Sequence, residues 1–530
     1  MLAQVATPEV PWSLLWPFLL MALGAVALVT ITSLVTELRT RQFPSLFTIA
    51  MAVGGGASLP YIWGRIGEIP ERRILVLDGA MSIDYFTIVA AAIILSAVVF
   101  AAIFLDDYLR REGLDGPEWY VLIMLSASGG LMMAAAEDLI VTFLGLEILS
   151  IAVYVLAALH LRRAESQEAG FKYFVLGALS SAFFLYGIAL VYGATGSTRL
   201  SEIDAALFAT NARGLVPAED SSMILAGMAL LLVGFGFKVS AAPFHLWTPD
   251  VYQGAPTPVV GFMASAVKVG GFAGLLRVFL AGFGRLGDDW RPVVGAMALL
   301  SIVIGSFLAI RQDNVKRMLA YSSISHAGFI LIGLFAAGSR NAEVAQLGTR
   351  SVLFYLFAYT VMVVGSFGVV TLVGGRGDGK HDLSDYAGLA QRSPILAGFF
   401  LVLLFAQAGI PFTSGFLAKF GVIQAAVRDE AYVLAGVAMV AAVVGAYLYL
   451  RIIKTMFFSD GAHTVPVAAA LDTNVEATPD GAVIAPDEQI SLPPAAVAAI
   501  LVAVAITLLW GFAPNIGGDI LRDAAATFLR

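Results

Sequence analysis

Long apolar runs separated by short polar connections dominate the chain, and they set its architecture. A hydrocarbon core of roughly 30 Å takes about 20 apolar residues as helix. That rule predicts about fourteen segments, near 12–35, 46–64, 84–105, 118–136, 138–160, 171–194, 222–242, 257–280, 292–310, 318–338, 351–374, 394–427, 431–455 and 493–513. Inside them Leu, Ala, Val, Ile and Gly follow one another without the period-two alternation of barrel strands, so helices are expected throughout. The fold class is therefore an all-α polytopic membrane protein.

Two segments are interrupted by proline. The seventh, LLVGFGFKVSAAPFHLW (231–247), breaks at Pro243, five residues after Lys238. The twelfth, LLFAQAGIPFTSGFLAKFGVI (403–423), breaks at Pro411, eight residues before Lys419. A lysine before the break in one half and after it in the other is what an inverted repeat produces. The expected organisation has N-terminal helices over 1–117, a five-helix repeat over 118–280, a second over 292–455, a polar linker over 456–492 and a last helix within 493–530. The linker stretch 459–492 holds six carboxylates and neither Lys nor Arg, a tether composition.

Composition agrees: 59% hydrophobic and 13% charged residues, with mean hydropathy +0.86, exclude a soluble globule. The first ten residues carry one charge, Glu9, and no basic region, so the opening apolar run is expected to be retained rather than cleaved. With no cysteine, thiolate-held clusters, thiolate metal sites and disulfides are excluded. Basic residues assigned to the two sides, in connections or close to segment ends and with Arg277 and Lys316 among them, split fourteen to thirteen, so charge bias sets no orientation.

The four remaining basic residues fall inside segments, and all are lysine: Lys172, Lys238, Lys268 and Lys419. Charge at bilayer depth is costly and marks ion or proton pathways. Lysine is the cation whose protonation responds most readily to burial, whereas arginine would stay charged. Lys172 lies near a segment start, where snorkelling to the interface is the plain alternative. Glu147 is the only charge in VTFLGLEILSIAVYVLAAL (141–159) and the one carboxylate whose burial the pattern alone predicts. It is the expected partner of Lys238: close, it favours the ammonium; withdrawn, desolvation favours the neutral amine. A static helix–helix staple is the plainer reading of the same pair.

Between the lysines, 238–272 holds Pro243, Pro249, Pro256 and Pro258 and cannot be one continuous helix. Water is expected at such a break, where Ser240, His245 and Thr248 are candidates to carry protons, with a loop-fixing role the simpler one for His245. In YSSISHAGFILIG (321–333), Ser322, Ser323 and His326 lie on neighbouring turns, either as a proton path or as polar helix glue.

The motifs FLGLEILSIAVYVL, EAGFKYFVLGALSSAFFLYG (168–187), GFGFKVSAAPFHLWTPDVYQGAPTPV, DNVKRMLAYSSISHAGF (313–329) and AGIPFTSGFLAKF (408–420) resemble the antiporter-like membrane subunits of respiratory complex I. The likeness spans roughly 75–455, and the stretch 459–492 departs from the usual short connection. The DVYQGAPTPV loop and lysine at 419 resemble one branch among them. The resemblance implies that Glu147, on the fifth helix, modulates Lys238 on broken helix 7. It implies that Lys268 is the central relay on the eighth, that Lys419 is the terminal lysine on broken helix 12 and that Lys172 is accessory. It further implies proton translocation coupled to quinone reduction elsewhere, with NADH, FMN, iron–sulfur clusters and quinone bound by other subunits and no cofactor or metal on this chain. Membrane lipids and M-type and K/J-type subunits are the implied neighbours, with no nucleic acid, in a bacterial plasma membrane with both termini periplasmic. An Mrp-type cation/proton antiporter subunit and a non-pumping structural subunit are the alternatives.

Overall fold

The computed structural model of the chain describes residues 11–39, 42–114, 116–207, 222–459, 464–465, 483–484 and 490–528. Helices α1 (Trp16–Leu34) and α2 (Phe43–Gly67) lead into an antiparallel hairpin, β1 (Arg73–Val76) and β2 (Met81–Asp84), with Arg73 opposite Asp84. Then come α3 (Tyr85–Glu112), α4 (Glu118–Ala135), α5 (Leu139–Ala158), α6 (Ala164–Thr195) and the short α7 (Leu200–Ala206). The first interrupted unit is α8 (Ser222–Lys238) followed by α9 (Thr248–Gly254). A continuous run follows, α10 (Thr257–Phe262), a π turn over Met263–Val267, and α11 (Lys268–Arg277). The remainder is α12 (Gly287–Ile310), α13 (Val315–Ala337), α14 (Ala342–Val373), α15 (Leu389–Arg392), the second interrupted unit α16 (Pro394–Ala408) and α17 (Ser414–Arg428), α18 (Tyr432–Phe458), α19 (Pro494–Phe512) and α20 (Gly518–Ala526).

Twelve of these runs among the described residues are long and apolar enough to cross a membrane, and α8 and α16 are shorter apolar helices. The predominantly helical membrane architecture is as the hydrophobic pattern predicts, with the short β1–β2 hairpin not foreseen by it. Helices extend past several predicted ends: α6 begins at Ala164 and α14 at Ala342, because hydropathy drops with each terminal charge while the backbone stays helical. The polar linker lies largely outside the described residues. Two short strands within it, Thr464–Val465 and Val483–Ile484, pair antiparallel.

The apolar stretch of the span Thr257–Gly282 is wholly buried, and those of α13 and α14 nearly so, whereas α1, α2, α6, α18 and α19 bury about a third of theirs (33%) and form the periphery. Side chains cap the buried helices: Asp84 accepts from Thr87 N (2.8 Å) at the start of α3, and Asn314 accepts from Arg317 N (3.2 Å) at the start of α13. Gly409, at φ +88°, ends α16 in the left-handed region, and a Cβ there would sit 3.0 Å from Lys419 Cδ. That glycine makes both the turn and the room for the lysine.

Candidate functional site

Lys238 is the last residue of α8, at the start of the first interruption, and is 3% exposed. Its Nζ has no hydrogen-bond partner among the described residues and lies over the rings of Tyr154 (5.5 Å) and Tyr173 (5.7 Å). Tyr173 stacks on Trp247, whose Nε1 donates to Phe237 O (3.0 Å), so aromatic side chains box the amine in. Glu147 is half-buried on α5, and Ser181 of α6 donates to its carboxylate. No ion pair within 4.0 Å joins Glu147 to Lys238 among the described residues. The expected partners make no direct contact: the carboxylate is held by a hydroxyl and the amine lies among rings.

Lys268 opens α11 directly after the π turn and is 2% exposed. Its Nζ donates to Ser323 O (2.8 Å) and Ser323 Oγ (2.5 Å) on α13. Tyr359 OH donates to the same Oγ (2.9 Å). One turn on, His326 sits between two phenols, Nδ1 at 2.7 Å from Tyr355 OH and Nε2 at 3.2 Å from Tyr449 OH, and Tyr449 OH is 2.5 Å from Ser322 Oγ. A cavity of about 10 Å³, room for about one water, is lined by Ser322, Ser325, His326, Tyr449 and Lys419. Ser323, His326 and the two lysines therefore share one buried polar file; hydrophobicity scales gave no hint of the tyrosines, which read as neutral.

Lys419 Nζ donates to Gln407 O (2.8 Å) and Ala408 O (2.9 Å). These are carbonyls of the last turn of α16, left without intrahelical donors because the helix stops at Gly409. A cation at a helix C-terminus also matches the dipole. The break therefore builds the seat for its own lysine.

Lys172 does not join this group. Its side chain is 41% exposed and pairs with Glu168 (2.8 Å) and Asp250 (2.9 Å), and Asp250 also receives Arg317 (2.6 Å). His245 and Thr248 are buried in the first interrupted unit, with His245 Nδ1 and Thr248 Oγ1 unpaired by protein groups.

Charge patterning misassigned two further basic residues. Arg277, counted with the connections, is buried in the span and bonds Asp84 (2.5 and 2.9 Å) and Glu137 (3.3 Å). The apolar residues Val278, Phe279 and Leu280 after it were the available signal. Lys316 is fully buried, donates to Ala255 O (2.7 Å) and lies 3.6 Å from Asp378. Asp84, Glu137 and Asp378 are likewise buried, so Glu147 is neither the only buried carboxylate nor the most enclosed. Burial alone would raise the Asp378 carboxyl, but the charge of Lys316 and the hydrogen bonds of His381 and Thr257 hold it well below the ordinary carboxylate range. Burial, reinforced by the charge of Lys316, pushes His381 below its usual value despite its contact with Asp378.

Residues 136–445 match the family described as NADH:quinone oxidoreductase/Mrp antiporter, TM. The chain belongs to this family. It is 39% identical to NADH-quinone oxidoreductase subunit N of Trichlorobacter lovleyi over 466 residues, 87% of this chain and 91% of that protein. It is 45% identical to the subunit N of Mycobacterium tuberculosis strain H37Rv over 426 residues, 79% of this chain and 73% of that protein. A chain of respiratory complex I from Thermus thermophilus with bound aureothin superposes with TM-score 0.73 at 30% identity, covering 95% of this chain and 98% of that one. A chain of the Mrp complex from Dietzia sp. superposes with TM-score 0.79 at 21% identity, 97% of each chain, a likeness of fold. The resemblance carried by the quoted motifs is thereby borne out, and subunit N is the branch that the DVYQGAPTPV loop and Lys419 pointed to.

Proposed function

We propose that this chain is an N-type, proton-translocating membrane-arm subunit of a bacterial NADH:quinone oxidoreductase. The observation that carries the reading is the enclosure of three lysine amines, Lys268 and Lys419 along one polar file and bonded to exchangeable or dipolar groups, and Lys238 unpaired among aromatic rings. Quinone reduction takes place on other subunits, which bind NADH, FMN, iron–sulfur clusters and quinone, and its free energy moves protons here.

In this reading Glu147 biases Lys238. When the carboxylate turns from Ser181 to Lys238 the ammonium is favoured, and when it withdraws the amine sheds its proton. At about 1.4 kcal/mol per pKa unit, a swing of a few units is several kcal/mol, the scale of a proton gradient. Lys268 passes a proton through Ser323 and the His326 phenols toward Lys419. Lys172 acts as an accessory at the rim, through its carboxylate partners. The chain divides into N-terminal helices (1–117), inverted repeats (118–280 and 292–455) with broken helices 7 and 12 of about fourteen, a linker (456–492) and a last helix (493–530). It sits in the plasma membrane with periplasmic termini between M-type and K/J-type neighbours.

The test is Lys268→Met in the intact complex reconstituted into liposomes, with protons translocated per electron as the readout. A clear fall is expected. An unchanged ratio would count against a pumping role and favour a structural subunit.

A further inference from the structure

Asp378 stands outside the lysine file, yet it joins more elements than any of the proposed carriers. It lies in the tight connection VGGRGDGK (373–380) after α14 and adopts φ +47°, flanked by Gly375 and Gly377 at φ +60° and +78°. A non-glycine residue in this region persists only when its surroundings hold it there. Here they do: Glu112, at the end of α3, accepts from Gly377 N at 3.0 Å, and the Asp378 carboxylate is fully enclosed.

Its bonds converge from both halves of the chain. Thr257 N (3.2 Å) and Thr257 Oγ1 (2.6 Å) donate to it, so Asp378 caps the N-terminus of α10 from a distant part of the sequence. Lys316, at the start of α13, lies 3.6 Å away and also bonds Ala255 O, just before α10. Arg163, from the connection between α5 and α6, donates at 2.9 Å, and His381 Nε2 lies at 2.8 Å. One carboxylate thus fastens the starts of α10 and α13 to each other.

These are the starts of the continuous run from α10 through the π turn to α11 and of α13, whose side chains meet at Lys268 and Ser323. Ser323 follows Lys316 by seven residues on α13, about 10 Å along one rigid helix. Lys268 follows Thr257 by eleven residues, about 16 Å, and the π turn Met263–Val267 lies between. A π turn holds one more residue than an α turn, so relaxing it to α would rotate Lys268 by roughly 100° relative to Thr257. Anchoring the start of α10 fixes the end against which that rotation is measured.

We propose that Asp378 is a positioning residue that, through the starts of α10 and α13, holds Lys268 in contact with Ser323. The proposal rests on the reading of Lys268 as a proton carrier. It assigns Asp378 no proton of its own to carry. A purely structural staple would lower the amount of assembled complex without touching what each assembled complex pumps, and that distinction is measurable.

The experiment compares protons translocated per electron in reconstituted intact complex carrying Asp378→Asn, Asp378→Glu, Thr257→Val, Ser323→Ala, Lys268→Met and the pair Asp378→Asn with Ser323→Ala. Asp378→Asn is expected to lower the ratio toward that of Lys268→Met. Asp378→Glu should recover part of it, and Thr257→Val should give a smaller fall in the same direction. The pair should pump no worse than the poorer of its two single variants, since both act on one contact. Because Asp378→Asn leaves Arg163 and Lys316 without their buried counter-ion, it can fail to assemble; Thr257→Val removes a bond without stranding a charge and then carries the test. A wild-type ratio in assembled Asp378→Asn or, failing assembly, in Thr257→Val overturns the proposal, as do additive losses in the pair. If Lys268→Met itself pumps normally, the functional reading falls and this proposal falls with it; if only the Asp378 and Thr257 variants pump normally, the functional reading stands and the positioning role alone is wrong.

Discussion

The two interrupted units solve the same problem, a lysine beside a broken helix, in opposite ways. At the second, Lys419 reaches back to the carbonyls of Gln407 and Ala408 that the break leaves free, so cation and broken helix satisfy each other. At the first, Lys238 ends its helix with no protein partner, facing aromatic rings, while Glu147 is occupied by Ser181. One amine is clamped by direct hydrogen bonds and the other has none among the described residues. In the proposed mechanism, a buried amine without a direct partner is the one whose protonation a nearby movable charge controls, so the sensitive step is expected at Lys238.

Substitution can break this contrast most visibly in stability. Lys419→Met strands two buried carbonyls and is expected to cost about 1–3 kcal/mol, whereas Lys238→Met removes a buried amine that no protein group pairs and should be neutral or stabilising. Thermal unfolding of the detergent-solubilised complex, followed through this subunit, reports both; equal losses would erase the difference between the two units. Next in size, Glu147→Gln should lower protons per electron, with Glu147→Asp milder because it keeps the charge. If Asp were no milder than Gln, a charge switch would not be operating. The smallest change is expected from Ser181→Ala, which frees the Glu147 carboxylate for Lys238 and should alter the ratio less than Glu147→Gln does. A loss as large as that of Glu147→Gln would make the Ser181 hydroxyl itself a carrier.

Much of this was legible in the chain. Proline within an apolar run marked both interruptions, and a lone charge amid Leu, Val and Ile marked Lys238, Lys268, Lys419 and Glu147, because hydropathy registers an isolated charge sharply. The same measure hid what lay at segment ends. Lys316, beside Arg317 and Asn314, looks like part of a polar connection, yet the helix begins at Val315 and turns Lys316 inward. Arg277, three residues before the end of the predicted span 257–280, was likewise counted with the connections. Asp378 could not be read at all: its contacts with Thr257, Lys316 and Arg163 come from distant positions, and local patterning carries no record of that. The tyrosines around His326 were equally silent, since tyrosine is common in apolar helices whatever its hydroxyl meets.

The most direct test of the central claim compares Lys238→Met with Lys238→Arg in the intact reconstituted complex, by protons translocated per electron. Arginine supplies the charge but does not release its proton at any working pH. If Lys238 acts by taking up and releasing a proton, both variants lose pumping. Wild-type pumping by the arginine variant would show that a fixed positive charge suffices, and would contradict the account.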